Sequence, residues 1–190
     1  MKEEIHMELT ALQTILGQRF GGVITAGQHA ADGQACAMEL AHAVHGDLWS
    51  DVPDYWPDFR PLNDAPCWSS DQARTAALLP VLAAVWDWEI WPAARQRAFA
   101  ATVALRTVRE LVLVARSATG LEEEAAVSEA AHSLTDASAA SDASDAAAAA
   151  AYASDASTDA AYDVDASTDA YAADAVLRQA CRIWVEAATT

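Results

Sequence analysis

The stretch PAARQRAFAATVALRTVRELVLVARSATG, residues 92–120, decides the fold class. It opens on Pro92, and proline is tolerated at a first helical position because that amide needs no intrahelical partner. It closes on Gly120, which suits a left-handed C-terminal cap. Between them Phe99, Val103, Leu111, Val112 and Val114 recur at helical spacing and give a broad apolar face. The segment therefore predicts a helix at the centre of the core. It also carries Arg95, Arg97, Arg106, Arg109 and Arg116, five of the 11 basic residues. Their simplest use is internal, against acidic partners of the same chain.

Upstream, Ile5, Leu9, Leu12 and Leu16 step by four, three and four, one stripe of an amphipathic helix that Gly17 and the Gly21-Gly22 pair end. A second helix is expected from about Gln34 to Val44, with Ala37, Leu40, Ala41 and Val44 inward and Gly46 closing it. Residues 47–70 hold four prolines and the rings Trp49, Trp56 and Trp68. That pattern predicts an ordered loop pinned by aromatic anchors. Ser70-Asp71 starts the next helix, since the hydroxyl accepts an orphan amide and Asp71 suits the positive end of the dipole. Pro80 is expected to kink or restart it.

Downstream, composition changes sharply. All seven glycines and all six prolines lie at or before Gly120. From Ser117 to Leu177 there are 13 acids and no Lys or Arg, and 23 of the 51 residues from Ala125 to Ala175 are alanine. The hexapeptide DASTDA stands at Asp155–Ala160 and again at Asp165–Ala170. A ten-residue period suits a β-solenoid only if large apolar residues point inward. The positions midway between the tyrosines are Ser157 and Ser167, and alanine is the best helix former. Several helices are therefore expected, broken near Ser154-Asp155 or Ser167-Thr168-Asp169. The last is the clearest: Ala173, Val176, Leu177, Ala180, Ile183 and Trp184 form an apolar face that should dock on the core.

The reading is an all-α protein: a helical core over 1–120 with the Trp/Pro-rich loop 47–70, and an acidic, alanine-rich helical region over 121–190. The chain of 190 residues carries 28 acidic and 11 basic groups, a net charge of −17. That balance excludes a protein gripping nucleic acid or anionic lipid through a basic surface. No apolar run approaches the roughly 18 residues of a membrane span, and the N-terminus is not a signal peptide. Three cysteines without zinc-type pairing point to a reducing cytoplasm.

No nucleotide-binding, hydrolase or metalloprotease motif is present, so no catalytic residue and no cofactor is assigned, and the chain leans away from an enzyme. His29, Cys36, His42 and His45 lie close in sequence, and Cys36, His42 and His45 are weak metal candidates. Cys36 and His45 fall on nearly opposite sides of a helical wheel, however. The aspartates of 47–64 lack the spacing of a calcium loop. Trp86, Trp88 and Trp91, with the loop tryptophans, form either core anchors or a small-molecule pocket. The most unusual feature is the acidic surface, with Asp142, Asp145, Asp155, Asp159, Asp163, Asp165, Asp169 and Asp174. It reads either as a phosphate-like display for a basic protein partner or as a solvated face that maintains solubility.

Two sets of motifs carry a resemblance. The first is Asp32-Gly33, Ala35-Cys36-Ala37-Met38-Glu39-Leu40, Gly46-Asp47-Leu48-Trp49-Ser50-Asp51-Val52-Pro53 and Leu62-Asn63-Asp64-Ala65. The second is Ala104-Leu105-Arg106-Thr107-Val108-Arg109-Glu110-Leu111, an alanine-rich repeat, and the closing Ala175-Val176-Leu177-Arg178-Gln179-Ala180-Cys181-Arg182-Ile183-Trp184. In this order, over about residues 32–187, they resemble an uncharacterised family of alanine-rich proteins from actinobacteria and their phages. The repeat here is richer in Asp, Ser and Thr. The resemblance implies a soluble cytoplasmic protein encoded by a phage or its host, and it carries over no site residue. The expected function is a non-enzymatic interaction protein that meets a basic host or defence protein. The alternatives are a self-assembling helical module (a homo-oligomer) and a small-molecule or metal binder at the Trp-rich loop.

Overall fold

A computed structural model describes residues 2–27, 29, 33–46, 50, 56–58, 60–107, 110 and 170–189. Among these the regular structure is helical and no strand occurs. The elements are α1 (Lys2–Arg19), α2 (Ala37–His45), α3 (Arg60–Asp64), α4 (Asp71–Ala84), a 3₁₀ turn (Trp88–Ile90), α5 (Ala93–Thr107) and α6 (Ala170–Ala188). The repeat, and with it the choice between helix and solenoid, lies outside the described residues. So do Leu111, Val112, Val114, Arg109, Arg116 and Trp49.

The stripe of α1 is buried as its spacing requires, with Leu12 and Leu16 in the core and Leu9 packed beside them. Gly17 does not end the helix, which runs two residues further. The stop comes at Gly21 and Gly22, whose φ of 70° and 83° only glycine adopts cheaply. The Gly22 amide turns back to the Leu16 carbonyl at 3.0 Å. At α4 the expected cap is present: Ser70 Oγ accepts from the Ala73 amide at 3.1 Å.

Pro80 does not restart a helix, because α4 continues through it to Ala84. The amide that Pro80 lacks leaves the Ala76 carbonyl without its helical donor. Ala76 is exposed, so water can serve that carbonyl, and the helix persists because its other side is locked in the core through Leu78, Val81 and Leu82.

Among the described residues α4 has helices packed on the most sides. α4 packs against α1, α2 and α6, whereas α5 packs against α6. Phe99 and Val103 of α5 are buried as expected, yet they meet a partner that arrives from the far end of the chain. α6 closes the core with the face its sequence announced: Ala173, Leu177, Ala180, Ile183 and Trp184 are fully buried. The Trp184 ring stands edge-on to Phe99 with centroids 5.5 Å apart. Arg95 holds the end of α6, donating from a guanidinium nitrogen to the Ala188 carbonyl at 3.0 Å. The same guanidinium lies 3.7 Å from the centre of the Trp91 ring.

Two substitutions should shift stability in opposite directions. Trp184→Ala empties the contact between α5 and α6 and should cost about 3–5 kcal/mol in urea unfolding. Pro80→Ala restores the amide to the Ala76 carbonyl at a half-exposed site. It should gain about 1–3 kcal/mol, less than the full helical penalty of proline because the unfolded chain also becomes freer.

Candidate functional site

The densest polar construction in the described fold sits where the 24–36 segment meets the start of α2. Glu39 is completely buried. Its carboxylate accepts from the Cys36 amide at 2.8 Å and from the His29 amide at 2.6 Å. The His29 ring nitrogen Nδ1 adds a third contact at 2.9 Å. In return Cys36 Sγ accepts from the Glu39 amide at 3.4 Å, which completes a capping box with cysteine in the place usually taken by serine or threonine. A buried carboxylate is tolerable only when its oxygens are met by donors, and here two backbone amides and a ring nitrogen meet them.

The neighbouring turn is tied down by α3. Asn63 is buried and donates to the Thr25 carbonyl at 3.1 Å, while its own oxygen accepts from the Ala37 amide at 3.2 Å. Asp64 accepts from the Gly27 amide at 2.7 Å, and Gly27 has a φ of 82°. Thr25 and Ala35 face each other across the turn, the Thr25 amide donating to the Ala35 carbonyl at 3.0 Å. The sequence contained the signal for this node in the spacing Cys36-x-x-Glu39, which was missed because cysteine is seldom a cap. His29 was noted only as a possible metal ligand.

The metal candidates do not converge. Cys36 lies at the N-terminus of α2 and is engaged in the cap, while His45 lies in its last turn. His42 is buried. His45 is exposed and stacks on Trp86 with centroids 4.4 Å apart, with Trp56 edge-on at 5.2 Å. Among the described residues no three His, Cys, Asp or Glu side chains come together as a metal site.

The described tryptophans fill space with one another. Trp88 meets Trp91 at 5.3 Å and Phe99 at 5.3 Å, and Trp68 donates its ring N–H to the Leu62 carbonyl at 2.8 Å. A groove of about 500 Å³ lies elsewhere, between α4 and α6. Ala76, Ala77, Pro80, Cys181 and Val185 line it together with Arg178, Arg182 and Glu186.

Of the eight acidic positions, Asp174 is corrected by the structure. It is 6% exposed and accepts from the Ser69 amide at 3.3 Å and from Arg178 Nε at 2.7 Å. It therefore joins α6 to the start of α4 and displays no charge. Asp142, Asp145, Asp155, Asp159, Asp163, Asp165 and Asp169 lie outside the described residues. The arginines near α6 are drawn into similar internal contacts. Arg106 pairs with Glu110 and with Glu186, each at 2.6 Å. The Arg106 guanidinium holds the Glu110 carboxyl below the usual carboxylate range.

Comparison with protein-family models, curated proteins and solved structures finds no match to this chain. Among the described residues no helix is long and apolar enough to cross a membrane.

The three cysteines are free thiols, all buried. Burial pushes Cys36 and Cys181 from 9.0 up to about 12. Both should resist a thiol reagent at about pH 8 in the native protein and react once urea unfolds it, because the thiolate is the nucleophile. Rapid native labelling of either would contradict this burial. The sign for stability follows. The folded state keeps these protons more tightly than the unfolded chain, so this contribution is intact below pH 9 and is lost as the pH rises towards 12.

Proposed function

We propose that the protein is a cytoplasmic, non-enzymatic interaction protein whose acidic region engages a basic protein partner, as a phosphate-like surface would. The observation that carries the reading is the charge distribution: 13 acids and no Lys or Arg from Ser117 to Leu177 in a chain of net charge −17. One-signed charge over such a length raises the local concentration of an oppositely charged partner and speeds its encounter. The placement of the arginines supports the same reading. Arg60, Arg74, Arg106 and Arg178 pair with Asp58, Asp71, Glu110 and Asp174, and Arg95 is held between Trp91 and the end of α6. Cations already engaged in these contacts are less available to the acids of 117–169.

The resemblance to alanine-rich proteins of actinobacteria and their phages directs the choice of lysate. The tagged protein is used to capture partners from an actinobacterial extract at about 0.1 M and about 0.5 M salt, where the Debye length falls from roughly 10 Å to less than half of that. The expected outcome is a basic, nucleic-acid-handling protein retained at low salt and released at high salt. Its retention should fall when Asp142, Asp145, Asp155, Asp159, Asp163, Asp165 and Asp169 are changed together to Asn. Recovery of the protein alone, equally at both salts, would sink the reading and favour self-association through alanine faces.

A further inference from the structure

The node at the start of α2 contains an alignment that partner binding does not use. Thr25 Oγ1 lies 3.1 Å from His29 Nε2, and His29 Nδ1 lies 2.9 Å from Glu39 Oε2. A carboxylate oxygen accepts, so in the neutral ring Nδ1 carries the hydrogen and Nε2 offers its lone pair to the Thr25 hydroxyl. The hydroxyl also reaches a second acceptor, the Ala35 carbonyl at 3.3 Å, which takes the Thr25 amide as well. Hydroxyl, imidazole and carboxylate thus stand in the order and tautomer that activate a nucleophilic oxygen. Burial is graded along the row. The Glu39 side chain is fully buried, the His29 side chain is 13% exposed, and Thr25 is half-buried.

We propose that Thr25 is an acyl acceptor, with His29 as its general base and Glu39 as the positioning residue that fixes the imidazole. The Thr25 oxygen forms a bond to the carbonyl carbon of an ester as its proton passes to His29 Nε2. The bond from that carbon to the leaving oxygen then breaks, and the proton departs with the leaving alcohol. The result is an ester on Thr25 and an unchanged His29. The substrate class is narrow. The amides of Thr25 and Gly27 are committed to the Ala35 carbonyl and the Asp64 carboxylate, so neither is available to steady an oxyanion. Acyl donors with a good leaving group ask least of such N–H donors, and they are the class proposed.

The test uses the full chain and p-nitrophenyl acetate, with the acetylated position read by peptide mass. Lys2 is the single lysine, so amine background is low, and hydroxylamine removes an ester but not an amide. Thr14, exposed and bonded only along its own helix to the Thr10 carbonyl, is the internal reference. Thr25 should be acetylated about tenfold or more faster than Thr14, a modest share of what general-base assistance gives. Thr25→Ser should keep the label and Thr25→Val should lose it. His29→Gln should lower labelling at Thr25 about tenfold or more. Glu39→Ala should lose the preference for Thr25, and Glu39→Gln, whose carbonyl still accepts from Nδ1, should restore part of it. Equal labelling of Thr25 and Thr14 in the unaltered chain overturns the proposal, and this comparison decides even if a variant fails to fold. Undiminished labelling in His29→Gln overturns it as well.

Discussion

The burial of Glu39 is the constraint on which the front of the molecule depends. A carboxylate removed from water must recover its lost hydration through donors, and the cost of failing is several kcal/mol. α2 alone can offer one of them, the amide of its own cap residue Cys36. The others must come from His29, ten residues away, so His29 is obliged to lie against the start of the helix. Once it does, Gly27 falls beside Asp64 and the Thr25 carbonyl beside Asn63, and α3 is fixed by the same turn. One buried charge thereby organises three segments that have little apolar surface of their own.

The back of the molecule answers to a different force. α6 is amphipathic by spacing, and its wholly apolar face would be unstable in water by roughly 1.5–3 kcal/mol for each large side chain left exposed. It is buried against α4 and α5, which are separated from it by about sixty residues or more of chain. Closing so long a connection costs little more than closing a shorter one, because loop entropy grows only logarithmically with length. The polar contacts at the edge of this interface give direction rather than strength. Asp174 reaches the amide at the start of α4, and Arg95 reaches the last carbonyls of α6.

These two forces explain which parts of the fold were legible in sequence. The face of α6, the Ser70 cap and the closing role of Gly46 follow from local spacing or local backbone chemistry, and each stands where expected. What spacing could not rank was which helix lies at the centre. Among the described residues α4 has neighbours on more sides than α5, and that depends on where α6 lands. Pro80 does not restart the helix for a related reason: the local penalty is real, yet tertiary burial of the opposite face outweighs it. Asp174 was read as a displayed charge because polar residues are counted outward. It is inward because Ser69 and Arg178 supply its donors. The node around Glu39 was hidden because an unusual cap and a histidine ten residues distant are joined only in space.

Charge is distributed with the same logic. Near the helices a carboxylate is usually matched by an arginine or an amide, as at Asp58, Asp71, Glu110 and Asp174. Pairs of this kind at or near the surface contribute about 0–1 kcal/mol each, so their number is no measure of stability. Their effect is to remove positive charge from the pool. Several of the 11 cations are committed in this way, and the 117–169 stretch contains none of them. If solubility alone were selected, a mixture of signs would serve as well, since interspersed charges keep a surface hydrated without a strong field. A one-signed stretch of this length produces a field. Such a field acts on other molecules more than on the fold that carries it.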